Sequence, residues 1–240
     1  MSIDKRLIST GAAAVCTTDT LDIFGDSSCV ALYGLNYDAS DASGNYDGNP
    51  GVVTFNAPGY IDYAASFNGS SSQITVASTA TSPIDFTARS YSFSCWVNTT
   101  STYYQTILSK YGNSDSYRAF SLNINANGTI QAKERSGGTS YNTTSTGTVN
   151  NGSWNHIVLT KSSTNTIIYI NGSLDENNAN TVTSNSGLTE PFRIGAENTA
   201  SPEWFDGKID QVRVFQKALS SSEVSTLYAE TAATVESLDP

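Results

Sequence analysis

The sequence predicts an all-β fold: a two-sheet antiparallel β-sandwich with one short helix near the C-terminus. Three observations predict it. Short β-rich runs with period-two alternation recur from about residue 26 to residue 230. Turn residues separate the runs, with Asn-Gly pairs at Asn68-Gly69, Asn127-Gly128, Asn151-Gly152 and Asn171-Gly172. A single segment, after Leu219, carries a convincing helix start.

The elements follow in chain order. Residues 1–25 show no clear alternation and read as an N-terminal arm or docking segment. Residues 26–230 form the body and residues 231–240 a C-terminal tail. In Tyr91-Ser92-Phe93-Ser94-Cys95-Trp96-Val97, Tyr91, Phe93, Cys95 and Val97 share one face, while Ser92 and Ser94 share the other. Tyr117 to Ile124 and Thr129 to Lys133 flank Asn127-Gly128, which reads as a type I′ hairpin because Asn-Gly tolerates positive φ at both central positions. His156 to Thr160 and Thr166 to Ile170 read as a central antiparallel pair joined by a polar turn. Phe192 to Gly195 and Lys208 to Phe215 supply two more strands. Ser220-Ser221-Ser222-Glu223 fits a capping box, and Val224, Leu227 and Tyr228 then share a helix face, so a short helix is expected at the end of the sandwich.

Composition bounds the function. The 240 residues are only 14% charged, yet 10% aromatic, with 13 Tyr. That pairing is not the chemistry of disorder. The net charge of −10 would repel a phosphate backbone, so nucleic acid is not expected as a partner. No stretch approaches the roughly 18 apolar residues of a membrane span. Lys5 and Arg6 precede the short apolar run Leu7 to Cys16, which Ser, Thr and Gly dilute; it reads as no signal peptide. Three cysteines, Cys16, Cys29 and Cys95, do not make a disulfide framework; Cys95 reads as a core residue, and Cys16 and Cys29 could pair or stay free.

Catalytic constellations are missing. Glycan hydrolysis needs two closely spaced carboxyls, about 5–5.5 Å apart for retention. No Glu-x-Asp-x-Glu pattern occurs, and Asp206 and Asp210 are four apart across Gly207. His156 is the sole histidine and sits in an apolar run, which suits packing better than proton transfer. No zinc spacing and no phosphate loop occur. Calcium remains as a possible cofactor, because Asp38, Asp41, Asn45 and Asp47 are oxygen donors in one short stretch. The same residue types also make ordinary turns. Tyr103, Tyr104, Tyr111, Tyr141 and Trp204 lie in polar, loop-like surroundings and are candidate ligand-binding platforms. Sequons at Asn68, Asn98, Asn127, Asn142, Asn151 and Asn171 read as turn chemistry.

Four stretches in order resemble the laminin-G-like jelly roll of the concanavalin A-like lectin/glucanase superfamily. They are Ser66-Phe67-Asn68-Gly69 with the strand Gln73 to Val76; Tyr91 to Val97; Trp154 to Thr160 leading to Ile168-Tyr169-Ile170-Asn171-Gly172; and Phe205 to Phe215 followed by Ala218-Leu219-Ser220 and Leu227-Tyr228. The resemblance implies that Asp210 hydrogen-bonds a turn or loop, that His156 is structural, and that calcium sits near the Asp41-to-Asp47 stretch. Cys16-Thr17-Thr18-Asp19-Thr20, Val30-Ala31-Leu32-Tyr33 and Ser43-Gly44-Asn45-Tyr46-Asp47-Gly48 are similar to stand-alone jelly-roll proteins of tailed phages. That similarity implies a non-catalytic component of the virion surface, a decoration, fibre or appendage assembled in the host cytoplasm. Its arm would hold other virion proteins and its loops would face host-surface glycans. The alternatives are an extracellular carbohydrate-binding module or adhesin anchored through Cys16, and a glycoside hydrolase.

Overall fold

A computed structural model describes residues 21–78, 90–112, 118–136, 139–181, 188–199 and 203–230. Most of the expected arm, Cys16 and the tail lie outside the described residues. Fifteen strands and one helix are present among the described residues. The strands are Cys29–Tyr33 (β1), Gly48–Pro50 (β2), Thr54–Pro58 (β3), Tyr63–Asn68 (β4), Ile74–Val76 (β5), Tyr91–Asn98 (β6), Gln105–Tyr111 (β7) and Arg118–Ile124 (β8). They continue as Thr129–Ser136 (β9), Thr139–Thr148 (β10), Asn155–Lys161 (β11), Asn165–Ile170 (β12), Ser173–Ala179 (β13), Phe192–Ile194 (β14) and Asp206–Phe215 (β15). The helix is Ser221–Tyr228 (α1).

The strands form two antiparallel sheets. The first runs β13-β12-β11-β6-β15-β4-β3, with β1 also on β15; the second runs β10-β9-β8-β7-β14-β5-β2. Alternation explains the layering. Tyr91, Phe93, Cys95 and Val97 of β6 enter the space between the sheets, where they meet Phe120, Leu122 and Ile124 of β8. At its centre Phe93 stacks on Phe120 at 4.5 Å between ring centroids, and Phe192 closes on both. Each fully buried side chain of this kind stabilises the fold by roughly 1.5–3 kcal/mol. Cys29 and Cys95 are buried free thiols, pushed up to about 12 by burial.

The helix is not at the end of the sandwich. It covers the outer face of the first sheet. Val158 of β11, Tyr169 of β12 and Phe215 of β15 point outward, and Leu219, Val224 and Leu227 pack on them in a second apolar cluster. Strand β11 is buried along its whole length, so its outer face requires a lid. Leu21, Ile23 and Phe24 join this cluster, with Phe24 at 5.6 Å from Phe215, so the stretch assigned to the arm already packs on the body by residue 21.

The capping box forms as the sequence predicts. Glu223 N–H donates to Ser220 Oγ and Ser220 N–H donates to Glu223 Oε2 at 2.8 Å. Ser220→Ala is expected to cost about 1 kcal/mol, read as a lower urea midpoint at unchanged slope.

The hairpins divide. Asn171 (φ +51°) and Gly172 (φ +76°) both take positive φ, so the β12–β13 turn is the type I′ form. At Asn127-Gly128 only the glycine does, at φ +87°. There Gly128 N–H bonds Asn125 O, and Asn125 N–H bonds Thr129 O, both at 2.8 Å. The longer 125–128 loop needs one left-handed residue, which corrects the type I′ expectation.

Candidate functional site

One end of the sandwich gathers a cleft from three separate parts of the chain. Its volume is about 310 Å³, and it is lined by Asn68, Gly69, Ser101, Tyr103, Tyr104, Glu203, Trp204 and Asp206. These residues come from the end of β4, the loop between β6 and β7, and the segment that leads into β15.

Local chemistry fixes each wall. Asn68 Oδ1 accepts the N–H groups of Ser70, Ser71 and Ser72 at 2.9–3.1 Å, which closes the turn after β4. Gly69 N–H donates to Phe205 O at 2.9 Å and ties that turn to the segment before β15. Phe205 is fully buried against Phe67, and its neighbours Trp204 and Asp206 stay at the surface. Thr106 N–H donates to Glu203 O at 3.0 Å, and Asp206 N–H donates to Gln105 Oε1 at 2.8 Å. Thr99 Oγ donates to Asp206 O at 2.6 Å. Backbone amides therefore lock the cleft to β7, and its aromatic wall rests on a rigid base.

Tyr103 is 79% exposed, the most open aromatic residue described. Tyr104 is half-buried, with Lys133 Nζ 4.6 Å from its ring centroid and its hydroxyl 3.5 Å from Gln131 Oε1. Burial, then the charges of Glu197 and Glu203, push its phenol above the ordinary range, so Tyr104 keeps its proton.

Of the five aromatic candidates, Tyr103, Tyr104 and Trp204 meet in the cleft. Tyr111 and Tyr141 do not. Tyr111 closes β7, is 8% exposed, and carries Arg118 4.8 Å above its ring. Tyr141 lies in β10 opposite Glu134 on the outermost strand of the second sheet. Their polar neighbours suggest loops, yet both belong to strands. Sequence reasoning missed Glu203 and treated Asp206 only as a catalytic candidate. The signal was present in Glu203-Trp204-Phe205-Asp206, where acids flank one inward and one outward aromatic residue.

The acidic stretch from Asp38 to Asp47 is organised by its own donors. Asp41 is 4% exposed. Its Oδ1 accepts Leu32 N–H at 2.8 Å and Ser43 N–H at 3.2 Å. Its Oδ2 accepts the Ser43 hydroxyl, Tyr46 N–H at 3.2 Å and Asn45 N–H at 3.4 Å. Asp47 Oδ1 accepts Asp41 N–H, and Asp38 Oδ1 accepts Ser40 N–H, both at 2.9 Å. Among the described residues no group of three or more His, Cys, Asp or Glu could hold a metal ion. A calcium ion needs carboxylate oxygens that face a common point. These N–H groups orient the carboxylate of Asp41, and calcium at Asp38, Asp41, Asn45 and Asp47 stands as an expectation from the sequence.

The other titratable candidates have structural partners. Asp210 is fully buried, and its Oδ2 accepts Tyr60 N–H at 2.8 Å and Ile61 N–H at 3.0 Å. It pins the turn between β3 and β4 to β15. His156 is 1% exposed and shares a 2.8 Å hydrogen bond between Nε2 and Ser94 Oγ. Burial, then the charge of Arg213, lowers its pKa to about 3, so the ring is neutral at physiological pH. No helix among the described residues is long and apolar enough to cross a membrane.

Comparison with known families matches this architecture. The laminin-G family model described as the concanavalin A-like lectin/glucanases superfamily matches residues 68–225. This chain belongs to that laminin-G-like family. Comparison with curated protein sequences gives no match. Among solved structures, the laminin-G-like domain is similar to domain 4 of AbnA, a GH43 extracellular arabinanase of Geobacillus stearothermophilus solved in complex with arabinotriose. The TM-score is 0.66 at 23% identity, covering 83% of this chain and 98% of that one. It is also similar to the receptor-binding domain of botulinum neurotoxin C/D mosaic serotype, with TM-score 0.65 at 16% identity. The binding domain of botulinum neurotoxin DC, solved in complex with SialylT, gives 0.64 at 15% identity. Each alignment covers 84% of this chain and 51% of the toxin chain. At these identities the likeness establishes the fold.

Proposed function

We propose that this laminin-G-like protein is a non-catalytic glycan-binding module whose ligand enters the cleft of Tyr103, Tyr104 and Trp204. The observation that carries the reading is the convergence of these aromatic side chains with Asn68, Ser101, Glu203 and Asp206 in one cleft. The C–H face of a sugar ring packs on an aromatic face, and its hydroxyls hydrogen-bond amides and carboxylates. The fold alone would not justify this, since one fold hosts many functions. The complexes named in the arabinanase and toxin structures are consistent with it.

Binding is tested on a panel of neutral polysaccharides, arabinan, glucan, galactan and mannan, by isothermal titration calorimetry. At least one is expected to bind. Trp204→Ala is expected to weaken that binding by about tenfold or more at an unchanged melting temperature. Unaltered affinity in this variant would remove the cleft from consideration.

The absence of turnover belongs to the same proposal. Asp210 is committed to the backbone of residues 60 and 61, and His156 is sealed from solvent. No reducing ends should be released from the panel polymers. Turnover abolished by Asp206→Asn would establish a hydrolase instead.

The setting we propose is the surface of a phage particle, with the arm on other virion proteins and the cleft turned towards host glycans. This part rests on the resemblance of the opening stretches. Mass spectrometry of purified particles should find the protein in stoichiometric amount. Recovery only as a secreted or lipid-anchored form would favour the extracellular module.

A further inference from the structure

The charge of the cleft walls narrows the ligand, and this step rests on the glycan reading above. The lining contains two carboxyl side chains, Glu203 and Asp206, and no Lys, Arg or His. Glu197 adds a third acid beside Glu203 and Tyr104. It is 5% exposed, and its Oε2 has no hydrogen-bond partner. Burial first, and the neighbouring charge of Glu203, hold its carboxyl above the usual range, while Lys133 and Arg118 pull it down. Those two cations lie against ring faces, Lys133 at Tyr104 and Arg118 at Tyr111, and neither lines the cleft.

A cation gains from both kinds of wall. The face of an aromatic ring attracts positive charge within about 6 Å, and a carboxylate attracts it directly. A uronate or sulfated sugar meets the opposite field from the same groups, within a chain of net charge −10. A neutral sugar would use the aromatic wall without using the charge.

We infer that the cleft selects saccharides bearing a protonated amine, such as a glucosamine polymer with free amines, over their N-acetylated and acidic counterparts. The aromatic wall supplies the stacking surface common to all of them. Glu203 and Asp206 supply the discrimination.

The test uses the full chain and three probes: the tetramers of glucosamine, N-acetylglucosamine and galacturonic acid. Titration calorimetry is run at about pH 6, where a large share of the glucosamine amines carries a proton. The glucosamine tetramer is expected to bind about tenfold more tightly than the N-acetylated one, the combined size of an exposed cation–π contact and a surface ion pair. The uronate should bind most weakly. In about 1 M salt, where screening acts within about 3 Å, the preference should shrink to about twofold or less. In a Glu203→Gln, Asp206→Asn double variant the ratio of amine to N-acetyl affinity should fall to about one.

Equal affinity for the first two probes, or a preference that survives in the double variant, overturns this inference and leaves the glycan reading standing. Failure of all three probes to bind also overturns it. The neutral panel then decides the glycan reading separately.

Discussion

Lowering the pH from about 7.5 to about 4 is expected to remove roughly 3 kcal/mol of folding stability through His156 alone. The ring packs beside Trp96, at 4.9 Å, and Tyr228, at 5.9 Å between centroids, and bonds Ser94. Burial and Arg213 hold its folded pKa near 3, against 6.5 for the free side chain. Below pH 6.5 the unfolded chain therefore takes up a proton that the folded chain refuses. The contribution of His156 is complete above that pH, declines as pH falls, and levels off near pH 3. Each unit in between is worth about 1.4 kcal/mol, and pH 4 lies about two and a half units down.

His156→Gln isolates the effect. Glutamine keeps an amide for Ser94 and does not titrate. Urea unfolding of both proteins at the two pH values should show the parent losing about 3 kcal/mol more than the variant. Asp26 and Glu223, whose pKa values are lowered, also lose stability in acid, whereas the raised Glu197 works the other way. All three are present in both proteins and cancel in the difference. An identical loss in parent and variant would refute the assignment.

Glu134→Ala is the second large effect, an expected loss of about 3–5 kcal/mol. Glu134 is 1% exposed on the inner face of β9. Its Oε1 accepts the Tyr91 hydroxyl of β6 at 3.0 Å, and its Oε2 accepts the Thr166 hydroxyl of β12 at 2.6 Å and the Asn180 amide. One carboxylate thus bridges both sheets. Its charge also acts on Lys161, a residue 2% exposed whose ammonium donates to the carbonyls of Ser162 and Asn180. Burial pulls the pKa of Lys161 down, and the charge of Glu134 opposes that pull. Alanine takes this acceptor from three buried donors and the opposing charge from the Lys161 ammonium, and each unmade bond costs about 1–3 kcal/mol. Glu134→Gln keeps the shape and part of the bonding, so it should lose less than alanine does. An alanine variant as stable as the parent in denaturant would contradict this account.

Glu134 also marks where sequence reading stops. In Lys133-Glu134-Arg135 the residue types suggest a solvated strand end. In the structure Glu134 instead shares the inner face of β9 with the buried Ile130 and Ala132. Burial of a charge depends on donors arriving from residues 91, 166 and 180, which no local pattern specifies. The acidic stretch around Asp41 is ambiguous for a related reason. Its composition suits calcium, but the direction of the surrounding N–H groups decides what the carboxylates bind. Tyr111 and Tyr141 lie in strands, where alternation with Ser and Thr gives the same polar surroundings as a loop.

The sequence by itself determined strands β6, β8, β9, β11, β12, β14 and β15, the capped helix and the face that each side of β6 presents. These follow from periodicity and from the few residues that tolerate a given backbone angle, both local properties. Only the tertiary structure decided that the helix covers the outer face of the first sheet, that Glu134 joins the two sheets, and that Tyr103, Tyr104 and Trp204 share one cleft. Those depend on strand order, which places β15 between β4 and β6 and so brings residues 68, 103 and 204 together. Strand order is set by the mutual burial of faces far apart in the chain, and a sequence window contains only one of the two faces.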